Sequence, residues 1–456
     1  MRYVLIGCLA CIAPLIAIAT DGDLDATFGS GGKVQLPQAG GYHGTWMPTD
    51  VAVQSNGKII ISGWTDQGLT DCFVLRLNSN GSLDTSFGGA NGFQPGYAGL
   101  GNCKYTGVAV RSDDTIIAGG PGVGYTPTPS IVGRFTANGS PDLTFGSSGS
   151  VFLSPGSGDQ AVVVNRLVLD DSGNIVATGS YTESSNAVDF YLARVTANGG
   201  AQTTVHHAAS FNGHASPNID IAYDLALGID GSYYVVGTTK SSAGDLNCAL
   251  LHAIYNSTAD AILSDNTFNG SDNVVLMKDY GGSNDDYCFA LALLPRETLV
   301  LGGQSSDTSW DDATFTTQDA FGNVTNIKFA YDQINGPYSG DIDTVKRVLV
   351  QPYDHRVLLV GSGPNHTNLP SQSYDIGVAR YSSPSTPDTS FGSGGYAFYD
   401  VGSTSTIHNL NTVTSATLWH DRLIVVGTAQ DATAGTDIVV LRLAPFDGIF
   451  KDGFGN

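Results

Sequence analysis

One pattern occurs seven times in this 456-residue chain: an apolar alternating stretch, a tight turn, then a β-rich run ending in Gly. The clearest copies are VAVQSNGKIIISG ending at Gly63, VAVRSDDTIIAG at Gly119, LVLDDSGNIVATG at Gly179 and LALGIDGSYYVVG at Gly237. LALLPRETLVLG at Gly302, VLVQPYDHRVLLVG at Gly361 and TSATLWHDRLIVVG at Gly427 complete the set, with successive glycines 56 to 66 residues apart. Self-similarity at a fixed period marks a repeat architecture, in which no unit buries its apolar face alone and each must stack on its neighbours. Period-two alternation makes these units strands.

The unit extends past the hairpin. A variable loop leads to a third strand, residues 73–77 (FVLRL), with equivalents at 131–135, 190–195, 376–381 and 438–443. An Asn-Gly turn often follows (Asn80-Gly81, Asn138-Gly139, Asn198-Gly199), a dipeptide whose residues tolerate positive φ. Next come an Asp-x-x-Phe-Gly segment, at 83–89, 141–149 and 387–395, and a fourth strand. Four short strands in each repeat fit a propeller blade. The same segment precedes the first hairpin as LDATFGSGGKVQL (24–36) and is missing after the last third strand. Residues 24–36 are therefore expected to supply the outer strand of the last blade. Such closure removes unpaired sheet edges, whereas a linear solenoid needs distinct capping repeats. The expectation is an all-β, seven-bladed propeller of four-stranded antiparallel blades over residues 20–445, with a tail at 446–456.

These elements resemble the bacterial delta-60 repeat family. Its consensus joins an Asp-x-x-Phe-Gly-x-Gly-Gly opening to a valine-rich strand, a Gly-Lys-Ile turn and a Phe-Ala-Leu-Ala-Arg-Leu strand. Residues 23–34, 51–63, 73–89, 131–146, 190–199 and 374–395 carry the likeness, which degenerates over about 200–345, where the Asp-x-x-Phe-Gly elements are absent. The resemblance implies a β-propeller in an exported bacterial protein and no shared catalytic residues.

Charge narrows the partners. Twenty basic against 42 acidic side chains leave −22, which makes nucleic acid and anionic membrane surfaces poor partners. Residues 1–19 read as a secretory signal: Arg2 is the basic start, 3–18 is nearly all apolar, and Ala17-Ile18-Ala19 is a small-x-small cleavage pattern placing the mature start at Thr20. The lipoprotein-like string Leu5-Ile6-Gly7-Cys8 lies too near the start to leave a normal apolar region. No later segment is long and apolar enough to span a bilayer.

Cleavage leaves Cys72, Cys103, Cys248 and Cys288, and four cysteines allow three pairings. Aligning DCFVLRL with NCALLHA places Cys72 and Cys248 at one position of the unit. Aligning the following hairpins puts Cys103 two residues before the position of Cys288, on the same strand face. This predicts Cys72–Cys103 and Cys248–Cys288 disulfides, each tying one unit to the next, in the periplasm or outside the cell. A zinc site is the rival reading, but Cys-x-x-Cys spacing is absent.

Some polar residues recur with the repeat: Arg76, Arg134, Arg194, Arg380 and Arg442 in the third strand, and Asp25, Asp84, Asp142 and Asp388 before Phe-Gly. A site that works once need not be copied into every blade, so these are expected to pair internally or cap turns. Phe28, Phe87, Phe145 and Phe391 are expected to pack between blades.

Function is expected on the face of the longer connections, since binding residues concentrate on loops held by a rigid scaffold. The candidate loops are 90–106, 205–222, 262–287, 303–326 and 396–410. Two oxygen-rich clusters suit calcium: Asp265, Asn266, Asn269, Asp272 and Asn273 ahead of Asp285 and Asp286, and Asp307, Asp311 and Asp312 beside Trp310. Neither has the terminal Glu of a calcium loop. His206, His207 and His214 form a weak transition-metal candidate. Trp46, Trp64 and Trp310 are candidates for stacking on sugar rings, with core packing as the alternative. No nucleophile elbow, zinc-protease motif or phosphate loop is present, and the adjacent acidic pairs do not by themselves make the opposed carboxylates of a glycosidase. The expectation is a secreted, monomeric binding or cell-surface interaction module for a protein or carbohydrate ligand, with no cofactor beyond calcium. The alternative is an extracytoplasmic polysaccharide hydrolase or lyase with its site at the channel mouth.

Overall fold

The computed structural model describes residues 20–36, 45–66, 70–89, 91–96, 102–200, 202–207, 219–240, 244–259, 261–264, 285–306, 311–318, 324–329, 343–364, 374–383, 386–400, 412–430 and 436–446. They form seven antiparallel sheets. Blade 1 comprises, from axis to rim, Trp46–Val53, Ile59–Asp66, Thr70–Leu77 and Phe93–Pro95. Blade 2 comprises Gly107–Val110, Ile116–Pro121, Ser130–Phe135 and Ser150–Leu153. Blade 3 comprises Ala161–Leu169, Ile175–Thr182, Val188–Val195 and Gln202–His207. Blade 4 comprises Asp220–Leu227, Tyr233–Lys240, Leu246–Asn256 and Ala261–Ser264. Blade 5 comprises Asp286–Leu294, Thr298–Ser306, Asp311–Gln318 and Val324–Phe329. Blade 6 comprises Thr344–Val350, Val357–Pro364, Tyr374–Ser383 and Tyr396–Tyr399, with Thr386–Pro387 as a short extra pairing. Blade 7 comprises Thr412–Trp419, Arg422–Gln430 and Thr436–Arg442, and its outer strand is Lys33–Leu36 from the start of the chain. That strand pairs antiparallel with blade 7, Lys33 opposite Leu441 and Leu36 opposite Ile438. The ring closes as expected.

The apolar core is divided among the seams. Each of the seven hydrophobic clusters among the described residues lies between two neighbouring blades, the one between blades 7 and 1 containing Phe28, Val34, Ile61, Phe73, Ile424 and Val440. Sheets covered on both faces explain the continuous runs IIISG, VVLRL and LLVG, which alternation alone would not give.

The repeated glycine answers a β-bulge. In six blades the inner strand skips a residue against its neighbour, between Pro48 and Asp50 in blade 1 and at the same place in blades 3 to 7. The residue across from the bulge has no room for a Cβ, which would strike the facing backbone carbonyl at Gly63, Gly179, Gly237, Gly303 and Gly427, and Gly120 at the matching place in blade 2 meets the same obstacle. Two positions of the repeat therefore shift by one: Gly120 and Gly303, not Gly119 and Gly302, meet the constraint. Each belongs to a Gly-Gly pair that sequence spacing could not resolve.

The Asp-x-x-Phe-Gly segment works as a clasp. Its Asp accepts hydrogen bonds through one oxygen from the amide and hydroxyl two residues on, as Asp84 does from Ser86 at 3.1 and 2.6 Å. The other oxygen pairs with the third-strand Arg, at 2.8 Å for Arg76–Asp84, Arg134–Asp142 and Arg380–Asp388 and 2.9 Å for Arg442–Asp25. The guanidinium lies over the buried Phe, 4.6 Å from the Phe87 centroid. Burial alone would raise the Asp84 carboxyl, but the Lys58 and Ser86 hydrogen bonds and the Arg76 charge hold it far below the usual range. The Gly, held at positive φ, donates its amide to the next blade's turn: Gly29 to Asn80, Gly88 to Asn138, Gly146 to Asn198. Arg76 and Arg134 likewise donate to Ala137 and Ala197 carbonyls one blade on. These residues are structural, as expected.

Cys72 bonds Cys103 and Cys248 bonds Cys288, each joining the third strand of one blade to the start of the next. Disulfides belong to oxidising, extracytoplasmic surroundings, and no helix among the described residues is long and apolar enough to cross a membrane. Chain-entropy reasoning gives about 3–4 kcal/mol for loops of 31 and 40 residues. Replacing either pair by alanines is expected to lower the urea midpoint by a corresponding amount, and an unchanged midpoint would contradict this.

Several regions read as loops contain strands. Residues 205–207, 220–222, 262–264, 303–306, 311–318, 324–326 and 396–399 all belong to blades. Threonine, histidine and asparagine in rim strands such as QTTVHH and VTNIKF mimic loop composition. Such strands need little apolar character where one edge is left to solvent.

Candidate functional site

The bulge places two consecutive residues of six inner strands near the axis, and Thr106 and Gly107 hold the matching places in blade 2. The second of each pair forms a charged floor. At this position stand Asp50, Gly107, Arg166, Asp224, Ala290, Arg347 and Ser415, taken in blade order from 1 to 7. Asp50 pairs with Arg166 at 2.5 Å and Arg347 at 3.2 Å, and Asp224 with the same two arginines at 3.2 and 3.5 Å. Contacts between blade 1 and blades 3 and 6 put this network on the axis. Ser415 donates to Asp50 at 2.6 Å, and the Val108 and Leu291 amides donate to Asp50 and Asp224 at 3.0 Å. Burial opposes the Asp50 charge, yet Arg166, Arg347 and Ser415 hold its carboxyl below the ordinary value. The floor is electrically neutral, with two carboxylates against two guanidinium groups.

One residue earlier, on the side where the inner strands begin and the long connections lie, the bulged residues form a ring: Thr49, Thr106, Asn165, Tyr223, Phe289, Lys346 and Thr414. All seven are half-buried, whereas six of the seven floor residues are buried. Three ring members reach the next blade's backbone: Thr49 donates to Tyr105 at 2.7 Å, Thr106 to Val164 at 2.6 Å and Asn165 to Ala222 at 2.8 Å. Blades 4 to 6 instead carry large side chains. Tyr223 meets Phe289 edge-on at 5.3 Å, and Lys346 places its ammonium 3.6 Å from the Phe289 centroid. No carboxylate among the described residues pairs with Lys346, and burial takes its ammonium down to about 8. A neighbouring layer adds Tyr287, stacked on Phe289 at 5.4 Å.

The expected ligand residues fare differently. Trp46 is 4% exposed and packs against Phe73 and Phe93, so it is core. Trp64 is half-buried, with the Lys104 ammonium 3.8 Å from its ring centroid, in the seam of blades 1 and 2. Asp311 and Asp312 lie on the third strand of blade 5, not on a loop, with Asp312 in the register of Asp71, Asp189, Asp375 and Asp437. Asp265, Asn266, Asn269, Asp272, Asn273, Asp307, Trp310 and His214 lie outside the described residues. His206 and His207 belong to the rim strand of blade 3. Among the described residues no three His, Cys, Asp or Glu side chains gather as a metal site.

A second acidic feature sits where blades 3 and 4 meet. Burial pushes the Asp220 carboxyl up to about 7, and Asp189 adds to this against the opposing Thr239 hydrogen bond. Burial and Glu183 raise Asp189 to about 6. The folded protein thus holds protons that the unfolded chain, with ordinary carboxyls, gives up. The resulting stability is full below pH ~4 and is lost as pH rises through ~7. Asp220→Asn is therefore expected to flatten the loss of stability between pH 5 and 8 in urea titrations. An equally steep loss in the variant would contradict the assignment.

The floor and ring had a readable signal: the residue before each VAV-like stretch runs Asp, Gly, Arg, Asp, Ala, Arg, Ser, and balanced charges at one repeat position imply a meeting point.

Residues 54–87 and 172–199 match a family described as a β-propeller domain of unknown function (DUF5122). No curated protein matches the chain. Among solved structures, the chain is similar to a protein of unknown function from Dyadobacter fermentans (14% identity, TM-score 0.48, covering 91% of this chain and 98% of that one). It is also similar to Sqt1 of Chaetomium thermophilum (11%, 0.45, 90% and 98%) and to the polysaccharide lyase Uly1 (10%, 0.46, 90% and 100%).

Proposed function

We propose that this propeller, built on repeats of the delta-60 type, is an exported interaction module that receives a protein or carbohydrate ligand at the channel mouth on the long-connection face. The observation that carries this reading is the ring of seven half-buried side chains above a floor whose charges answer one another. Such a ring gathers side chains from all seven blades on a rigid scaffold, the usual setting of binding residues. The floor carboxylates are each held by two arginines and a backbone amide, which suits a fixed base to the site better than proton transfer. The periplasm or the extracellular space is the proposed location.

A polysaccharide hydrolase or lyase is the second reading. It is favoured by the half-buried Lys346 on the axial ring, whose ammonium burial takes down to about 8, near the pH at which general acids and bases work. The test is to apply the full chain to a glycan array and to defined extracellular proteins, and to assay the same glycans for chain cleavage at pH 7 to 8. Binding without cleavage is the expected result. Cleavage would select the second reading, and neither binding nor cleavage would overturn both.

A further inference from the structure

We propose that the axial ring recognises an acidic sugar, a polyhydroxylated ring bearing a carboxylate, with Lys346 meeting the carboxylate. This rests on the reading of the ring as a ligand site and names the ligand's chemistry.

Three observations lead to it. The first is charge. The floor arginines are neutralised by Asp50 and Asp224. Lys346 therefore adds one positive charge that no described carboxylate answers, on the axis of a chain carrying −22 overall. A half-buried charge without an ionic partner is unfavourable, and an anionic ligand relieves that penalty. The remaining inner-strand acids, Asp220, Asp286 and Asp343, stand three residues before Tyr223, Phe289 and Lys346, at the strand starts, and are buried.

The second observation is hydrogen-bond polarity. The hydroxyl protons of Thr49 and Thr106 are committed to the Tyr105 and Val164 carbonyls. A hydroxyl has one proton and two lone pairs, so what these side chains retain is acceptor capacity. Asn165 spends one N–H on Ala222 and keeps its carbonyl oxygen and a second N–H. On blades 1 to 3 the ring therefore offers mainly acceptors with one amide donor, and sugar hydroxyls, which donate and accept, answer both.

The third is placement. The Phe289 ring holds the Lys346 ammonium 3.6 Å from its centroid and is itself packed against Tyr287 at 5.4 Å and Tyr223 at 5.3 Å. The cation stands on blade 6 and the acceptors on blades 1 to 3 of the same axial ring, and the proposed ligand bridges the two.

The test uses the full chain and a panel of uronic oligosaccharides (galacturonate, glucuronate, mannuronate and guluronate) with a sialic acid. Methyl esters of each, which keep the hydroxyls and lose the charge, and succinate, which keeps charge without hydroxyls, are the controls. Calorimetric titration is expected to find at least one acid bound, its ester bound at least tenfold more weakly, and succinate weaker still. Lys346→Met should weaken the acid at least tenfold, and Lys346→Arg by less than about threefold. Independently of whether Lys346→Met folds, the bound acid should protect Lys346 of the native chain from acetylation by acetic anhydride, read by mass spectrometry. Absence of binding across the panel, equal binding of acid and ester, or unchanged acetylation would overturn the assignment. If neutral glycans or a protein ligand bind while the acids do not, the interaction-module reading stands and this inference alone falls.

Discussion

Asp50→Ala is expected to lower folding stability by about 3–5 kcal/mol, the usual cost of removing one partner from a buried ionic network. The residue is 0% exposed, and its carboxylate holds Arg166, Arg347, Ser415 and the Val108 amide at once. Its loss leaves two guanidinium groups with only Asp224 between them, and one net positive charge walled in by seven strands. Asp50→Asn should fall between the variant and the native chain, because it keeps polar contacts while losing the charge. Replacing Asp50, Asp224, Arg166 and Arg347 together by apolar side chains of similar volume should recover much of the loss, since such networks often add little net stability. Equilibrium urea unfolding followed by tryptophan fluorescence measures all three. A difference below about 1 kcal/mol for Asp50→Ala would mean that water or rearrangement reaches the axis, and the floor as described would be wrong.

Removal of residues 20–36 should prevent the chain from accumulating as a soluble monomer. This segment supplies the rim strand of blade 7 and the clasp that locks it: Asp25 on Arg442, Gly32 and Asp23 carbonyls to the Arg442 and Ala444 amides, and Phe28 fully buried against blade 1. It also reaches blade 6, where Arg380 donates to Asp21 at 2.6 Å and Tyr399 to the Gly22 carbonyl at 2.6 Å. Phe28→Ala alone should cost about 3–5 kcal/mol. The larger deletion also bares the edge of Ile438–Leu441, a run of β-branched and apolar residues suited to pairing with another copy. Addition of a synthetic 20–36 peptide during refolding should restore part of the monomer yield. A truncated chain that stays monomeric with a native unfolding midpoint would show that closure contributes little.

How much of this was legible in the chain depends on where the information lies. Blade number, strand order and the closing pair were readable because each copy carries its own period-two pattern, and because the clasp is present at one end and missing at the other. The disulfide pairing was readable because two unlike pairs occupy matching places in the repeat. The rim strands of blades 3 to 5 were not, since solvent on one side removes the apolar signature. The site was the least legible part. Asp50, Arg166, Asp224 and Arg347 are at least 58 residues apart and make no local motif. Their meeting follows only when the seven copies are stacked and one column is read for its charges. Trp46 shows the opposite hazard, since an aromatic beside a loop looks the same whether it will face a ligand or the Phe73 ring.

The clasp is unevenly distributed, and this has a mechanical consequence. Where blades 1, 2 and 3 carry Arg76, Arg134 and Arg194, blades 4 and 5 carry His252 and Thr317. The junction of blades 4 and 5 is welded covalently by Cys248–Cys288 instead. Between blades 5 and 6 the described residues offer neither device, and the junction rests on apolar packing that includes Phe315 against Tyr381 and on the Lys346–Phe289 contact. A hoop under thermal agitation parts at its poorest joint, so breathing should begin there, beside Phe289 and Lys346 on the axis, and the protein's softest hinge would adjoin its mouth.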